Sequence, residues 1–215
     1  MAGMQLGVLG TGDVGRALAS AWQAAGHDVV VGTRDPGATR TRGDWPDHLA
    51  LATFADAAAG AEVVVNAVSG DRTLEALELA GHLTGKVLVD VSNPLDFSQG
   101  FPPSLLVEDT DSLAEQVQRA HPGARVVKAL NTVNNALMVA PDRLPEDTTV
   151  FVAGDDADAR TVVVGLLRDL GWRDVIEFPA LEAARGLEMW MPLWLRLVQR
   201  LGSAQFNLRI VRSAD

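Results

Sequence analysis

Five short valine-rich runs set the first limit on what this chain can fold into: "QLGVLG", "DVVVGT", "EVVVNAVS", "KVLVDVSN" and "RVVKALN". Each gives way to Gly, Asn or Ser, and none alternates strictly between apolar and polar residues. Strands of that kind need cover on both faces, which a parallel sheet flanked by helices supplies. Helical patterns lie between them. Val14, Leu18, Ala21, Trp22 and Ala25 share one face at helical spacing, and Gly26 stands where a left-handed residue would end the helix. Residues 54–61 and 71–80 are Ala- and Leu-rich, with charges on the opposite side.

The alternation continues through "TTVFVAGDD" at 148–156, a helix carrying Val162, Val163, Leu166, Leu167 and Leu170, a closing Gly171, and "DVIEF" at 174–178. The expected fold class is α/β, a doubly wound, mostly parallel Rossmann sheet. After Pro179 the character changes. Residues 181–201 read as a long apolar helix kinked at Pro192, with Trp190 and Trp194 on either side of the proline. The chain therefore divides into a nucleotide-binding domain, 1–179, and a C-terminal helical element, 180–215. That element is expected to pack on the sheet or on a second subunit, to roof a planar ligand, or both.

In "GTGDVG", Gly10, Gly12 and Gly15 hold the G-x-G-x-x-G spacing between a strand and a helix. The first glycine permits the tight turn, the second lets a pyrophosphate approach the backbone, and the third lets helix and strand pack closely. The amides at the helix start then face the phosphates. A dinucleotide site is the expectation.

Sites that prefer NAD carry an acid about 20 residues beyond the glycines, where it takes hydrogen bonds from the ribose hydroxyls. Here that position is Thr33, followed by Arg34. A hydroxyl and a guanidinium suit a phosphate monoester, so the cofactor is expected to be NADP(H). Arg40 and Arg42 are candidate extensions of the basic pocket, and Asp35 is expected to point outward and pair with one of them.

Ligands of open parallel sheets bind beyond the carboxyl ends of the strands. The rule selects "NAVSG" (66–70), "SNPLDF" (92–97) and "LNTVNN" (130–135). Asn66, Asn93 and Asn131 recur there, either as turn-forming residues or as ligand contacts. Strong acids and bases are scarce. There is no tyrosine, the only lysines are Lys86 and Lys128, and His27, His48, His82 and His121 fall on the far side of the sheet from the expected site. Lys128, inside a strand run, is a candidate proton donor or an anchor for a carboxylate or a cofactor phosphate. Hydride transfer between two cofactor rings needs alignment rather than a side-chain acid, and so suits this inventory.

Composition removes other classes. A formal charge of −10 repels polyanions, so nucleic acid is not an expected partner. The absence of cysteine excludes disulfides, a thiolate nucleophile and a sulfur-held metal, fits a cytoplasmic location, and leaves no metal site expected. No apolar stretch nears the roughly 20 residues of a membrane span, and the opening "MAGMQLGVLG" lacks the basic segment of a secretory signal.

The motifs "LGTGDVGRALA", "VVVGTRDP", "VVKALNTV", "GDDADA" and "AARGLEMWMPLWLRL", in that order, resemble the NADP oxidoreductases dependent on coenzyme F420, a deazaflavin. The cytoplasmic domain of membrane ferric reductases is similar to the first of these motifs. The resemblance implies a Rossmann domain with a small C-terminal helical part, a homodimer, and NADP(H) lying ring to ring with F420 or a flavin. It further implies that Gly10, Thr11, Gly12, Asp13, Val14 and Gly15 hold the pyrophosphate and that Thr33 and Arg34 hold the 2′-phosphate. Val68 and Ser69 would flank the nicotinamide, with Asn93, Pro94, Asn131, Thr132 and Trp190 around the acceptor. Two other functions fit the residues: NADPH-dependent reduction of a small imine or carbonyl, with Lys128 or water as proton source, and a non-catalytic NADP(H) sensor presenting residues 181–201.

Overall fold

The computed structural model describes residues 3–213. The valine-rich runs become the middle of one sheet: β1 (Gln5–Leu9), β2 (Asp28–Thr33), β4 (Val63–Asn66), β5 (Val87–Asp90) and β8 (Arg125–Ala129), with β3 (Ala50–Thr53) outside β2. A short hairpin, β6 (Leu95–Asp96) and β7 (Ser104–Leu105), stands apart. The expected strands β9 (Thr149–Ala153) and β10 (Asp174–Phe178) complete eight strands in the order β10-β9-β8-β5-β4-β1-β2-β3. Every pair is parallel except β8 with β9. The doubly wound α/β expectation is met.

Because the strands alternate between two covered faces, neighbouring residues enter different cores. Val8, Val63 and Val65 join one cluster with Trp22, Leu166 and Trp172, whereas Leu9 and Val64 join the other with Phe54, Leu77 and Val117. The helices supply the cover: α1 (Asp13–Ala24), α2 (Pro36–Thr41), α3 (Phe54–Ala59), α4 (Thr73–Ala80), α5 (Leu113–Ala120), α6 (Asn135–Met138) and α7 (Ala157–Asp169). The two large indoles keep their polar tips satisfied, Trp22 Nε1 donating to the Leu166 carbonyl (3.1 Å) and Trp172 Nε1 to that of Met138 (2.9 Å). Gly26 and Gly171 end α1 and α7 in the left-handed region, as their spacing requires (φ 95° and 96°).

The C-terminal element is helical over the span expected for it, with a tighter start. Residues 181–183 form one 3₁₀ turn, followed by α8 (Ala184–Met189) and α9 (Met191–Leu201). Trp190, between them, keeps helical backbone (φ −63°, ψ −30°), Trp190 N donating to the Gly186 carbonyl (3.1 Å) and Trp194 N to the Trp190 carbonyl (3.0 Å), so the expected helix runs on through Trp190, its bonding interrupted at Pro192. The element packs into the fold, with Leu181 and Ala184 in the same core as Leu9 and Val64. The segment after Gly202 joins the start of β9: Thr149 N donates to the Leu208 carbonyl (2.8 Å), and Asn207 Nδ2 to the Thr149 carbonyl (3.0 Å).

One buried charge ties these parts together. Lys128, on β8, is fully buried, with Nζ 2.8 Å from Asp90 Oδ2 at the end of β5 and 2.7 Å from Glu188 Oε1 on α8. It also donates to the Ser92 carbonyl at 2.6 Å. Burial works against the ammonium charge, but the two carboxylates outweigh it and raise the Lys128 pKa. Glu188 in turn accepts the first amides of α5, Leu113 N (2.8 Å) and Ala114 N (3.2 Å), a favourable place for a carboxylate. Arg185 of α8 adds a two-pronged bond to Glu115 of α5 (2.9 and 2.7 Å).

Replacing Lys128 by Met strands two buried carboxylates. Urea unfolding is expected to show a loss of about 3–5 kcal/mol; a loss below about 1 kcal/mol would mean that the cluster does not hold the C-terminal helices to the sheet.

Candidate functional site

The chain turns from β1 into α1 where β1 and β4 carry their connections to opposite sides, the usual ligand crevice of a doubly wound sheet. Gly10 has φ 118°, and a Cβ there would lie 2.6 Å from the Ala67 carbonyl oxygen. A Cβ on Gly15 would come within 2.1 Å of the Gly10 oxygen, so helix and turn touch backbone to backbone. At Gly12 a Cβ would meet nothing within 4 Å. That open side, at the start of a helix with no side-chain cap, is where a pyrophosphate can reach backbone amides. Asp13 turns to Arg16 (2.7 Å).

Two cavities open from this turn. A groove of about 490 Å³ is lined by Gly10, Thr11, Gly12, Thr33, Arg34 and Arg42, with Arg72 on its other wall. A larger cavity of about 730 Å³ is lined by Gly12, Asp13, Val14, Asn93, Asn131 and Trp194 among others. They share Gly12, Ala67, Val68 and Ser69. A molecule long enough to run from one to the other therefore passes Val68 and Ser69, the pair expected beside the nicotinamide.

The groove keeps Thr33 and Arg34 together but gives them unequal freedom. Arg34 is exposed and makes no ion pair or hydrogen bond among the described residues, leaving its guanidinium available to a ligand. Thr33 is buried, with Oγ1 3.1 Å from Thr39 Oγ1, which itself donates to the Asp35 carbonyl (2.9 Å). Asp35 does not pair with a neighbouring arginine. It caps α2 by accepting Ala38 N at 2.9 Å, the usual use of an Asp just before Pro at a helix start. Arg42 joins the groove and reaches across to Thr11 Oγ1 (2.9 Å), whereas Arg40 turns outward to the Leu51 carbonyl at 3.5 Å.

At the strand ends the three asparagines separate in role. Asn66 is buried and structural: Nδ2 donates to Thr73 Oγ1 (3.0 Å) and Asp90 Oδ1 (2.8 Å), while Oδ1 accepts Val68 N and so shapes the shared wall. Asn93 and Asn131 form a reciprocal pair in the larger cavity. Asn93 Nδ2 donates to the Asn131 carbonyl (2.8 Å), and Asn131 Nδ2 donates to Asn93 Oδ1 (2.9 Å) and to the Leu187 carbonyl of α8 (2.9 Å). The residue before Asn131 is held in the left-handed region, Leu130 at φ 62°, a conformation costing about 1–3 kcal/mol for such a side chain. Its burial against the core and the bond from Val133 N to its carbonyl fix that turn.

Pro94, Thr132 and Trp190, expected around the acceptor, do not line this cavity. Pro94 and Thr132 are buried behind it, and the Trp190 indole nitrogen is buried without a partner. Met191 and Trp194 line the cavity instead. The sequence reading also missed the β6–β7 hairpin, whose Asp96, Phe97 and Leu106 form the outer wall. Strands of two residues are too short to display a period. Gly70 has a packing role: a Cβ on it would lie 2.0 Å from the Asn93 carbonyl oxygen, so the loops after β4 and β5 meet only because it is glycine.

Neither cavity is lined by Lys, His, Cys or Tyr. Lys128 is held by Asp90 and Glu188 and lines neither cavity, so it is an anchor for the protein's own carboxylates and not a proton donor. The described residues contain no group of His, Asp and Glu able to hold a metal and no helix long and apolar enough to cross a membrane.

Residues 5–94 match the family model "NADP oxidoreductase coenzyme F420-dependent". Over 220 residues the chain is 30% identical to the F420-dependent NADP reductase of Methanothermobacter thermautotrophicus, covering 96% of this chain and 94% of that one. It is 34% identical over 185 residues to metalloreductase STEAP3 of Rattus norvegicus, covering 86% of this chain but only 36% of that longer protein. A crystal structure from Arthrobacter sp. FB24, described as a candidate F420-dependent NADP-reductase, superposes with TM-score 0.95 at 52% identity, covering 98% of this chain and all of that one. The glycine turn, the paired arginines of the groove and these likenesses converge: the chain is an NADP-dependent oxidoreductase and belongs to the coenzyme F420-dependent NADP oxidoreductase family.

Proposed function

We propose that this protein passes hydride between NADPH and the ring of a deazaflavin such as coenzyme F420, or of a flavin, seated in the larger cavity. The observation that carries this reading is the junction at Val68 and Ser69, where the nucleotide groove opens into a second cavity large enough for a tricyclic ring and free of side-chain acids in the neutral range. The nicotinamide and the acceptor ring supply the redox chemistry; the protein's share is proximity and orientation.

In this reading Gly10, Thr11, Gly12, Asp13, Val14 and Gly15 carry the pyrophosphate on backbone amides, and Arg34 with Arg42 binds the 2′-phosphate. Thr33 contributes mainly by holding Thr39, and through it the turn that presents Arg34. Asn93 and Asn131, locked to each other and to α8, set the floor of the acceptor cavity, while Trp194 and Met191 close it from α9. Reduction of an imine or carbonyl is less well supported, because Lys128 is withdrawn as proton source and only water remains.

Two measurements bear on this. Arg34→Ala is expected to weaken NADPH binding by on the order of 1.5–3 kcal/mol in calorimetry and leave NADH nearly unchanged, with Arg42→Ala shifting in the same direction; equal weakening for both nucleotides would remove the 2′-phosphate assignment. With a flavin as acceptor, the single-turnover rate is expected to vary less than about twofold between about pH 6 and 8.5, since no lining side chain has an intrinsic pKa there. A bell or a steep limb in that window would reveal a side-chain acid and favour carbonyl or imine reduction.

A further inference from the structure

The larger cavity owes part of its wall to a segment that lies outside it. Trp194 lines the cavity from α9, yet only Met191 and Leu195 of that helix are buried, so the core holds α9 by few side chains. The Trp194 indole nitrogen is sealed from water without a partner among the described residues, so no hydrogen bond fixes the ring. Packing does: the ring of Phe206 stands against it, with centroids 5.7 Å apart and planes tilted by 30°. Asn134, a second lining residue, caps α6 through Oδ1, which accepts Ala136 N (3.0 Å) and also Gln205 Nε2 (3.3 Å). Gln205 and Phe206 themselves line neither cavity.

Both residues belong to the segment that follows Gly202, whose left-handed backbone (φ 67°) ends α9. The far end of that segment is fastened to the sheet. Thr149, fully buried at the start of β9, donates N to the Leu208 carbonyl (2.8 Å) and accepts Ile210 N at Oγ1 (2.9 Å). Asn207 Nδ2 reaches Thr148 Oγ1 and the Thr149 carbonyl, each at 3.0 Å. Because β9 runs antiparallel to β8, with Val152 opposite Ala129, its start lies where β8 and its parallel neighbours end, the edge of the sheet that carries the ligand site. We infer that residues 203–210 form a strut from β9 to α9, in which Phe206 positions Trp194 and Gln205 positions Asn134, so that side chains outside the larger cavity set how tightly it holds its ligand. In naming that ligand an acceptor ring, the inference rests on the reading above.

Riboflavin and coenzyme F420 serve as probes, their ring fluorescence read with the protein saturated with NADP⁺. Phe206→Ala removes one aromatic pair and is expected to weaken binding of the ring about three- to tenfold, with Phe206→Tyr restoring it to within about twofold. NADPH affinity by calorimetry is expected to hold in both variants, since the groove shares no residue with the strut. Phe206→Leu and Gln205→Ala, the latter at an exposed position, carry the same comparison should Phe206→Ala fold poorly. Acrylamide quenching reads the wall without any ligand: the difference between each protein and its Trp194→Phe counterpart isolates this indole, and Phe206→Ala is expected to make it more accessible. Ring binding that the folded variants leave unchanged, or equal weakening of ring and NADPH, would overturn the inference and leave the acceptor reading standing. If neither ring binds the unaltered protein, the proposed function fails, and quenching alone decides the strut: a more accessible Trp194 in Phe206→Ala upholds it, an unchanged one removes it.

Discussion

A single ammonium group, that of Lys128, sits where three parts of the chain have to meet. It comes from β8, takes Asp90 from the end of β5 and Glu188 from α8, and is sealed from water by all three. Such a cluster is a poor source of net stability, because the desolvation of three charges cancels much of their attraction. Its effect is positional. Glu188 can reach Lys128 only if α8 lies across the start of α5, whose amides it also accepts, and that placement brings the Leu187 carbonyl to Asn131. The floor and the roof of the larger cavity are thereby set by one arrangement of charge.

The same economy appears on the nucleotide side, where backbone does most of the work. Gly10 and Gly15 let turn and helix approach within a distance that no Cβ would permit, and Gly70 does the same for the loops after β4 and β5. The turn leaves open space at Gly12, beside the start of α1, and Val68 and Ser69 stand between the two cavities. Strain is concentrated nearby, at Leu130, one residue before the asparagine that joins the sheet to α8. Backbone held in an unfavourable region beside a ligand cavity is a common mark of a preorganised site.

Much of this was legible in the residues because it is local. The valine runs, the glycine spacing, the left-handed ends at Gly26 and Gly171 and the Thr33–Arg34 pair all express themselves within a few positions, and each stands where its spacing placed it. What could not be read is what depends on distant partners. Lys128 was visible as a charge inside a strand, but nothing near it in the chain names Asp90 or Glu188. Trp190 and Trp194 were equivalent as text, and only the folded arrangement decides that the second lines the cavity. Arg42 and Arg40 differ by two positions in a polar stretch, yet the end of α2 turns one to Thr11 and the other to Leu51.

The central claim is that the groove and the larger cavity form one path, so that hydride passes directly from nicotinamide to acceptor ring. Deuterium placed at the transferring position of the NADPH nicotinamide tests it most directly, with a deazaflavin as acceptor in ordinary water, because the carbon that receives the hydride on that ring does not exchange with solvent. The account predicts that mass spectrometry finds the label in the reduced ring. Reduced ring carrying only protium, with the deuterium lost to water, would contradict it.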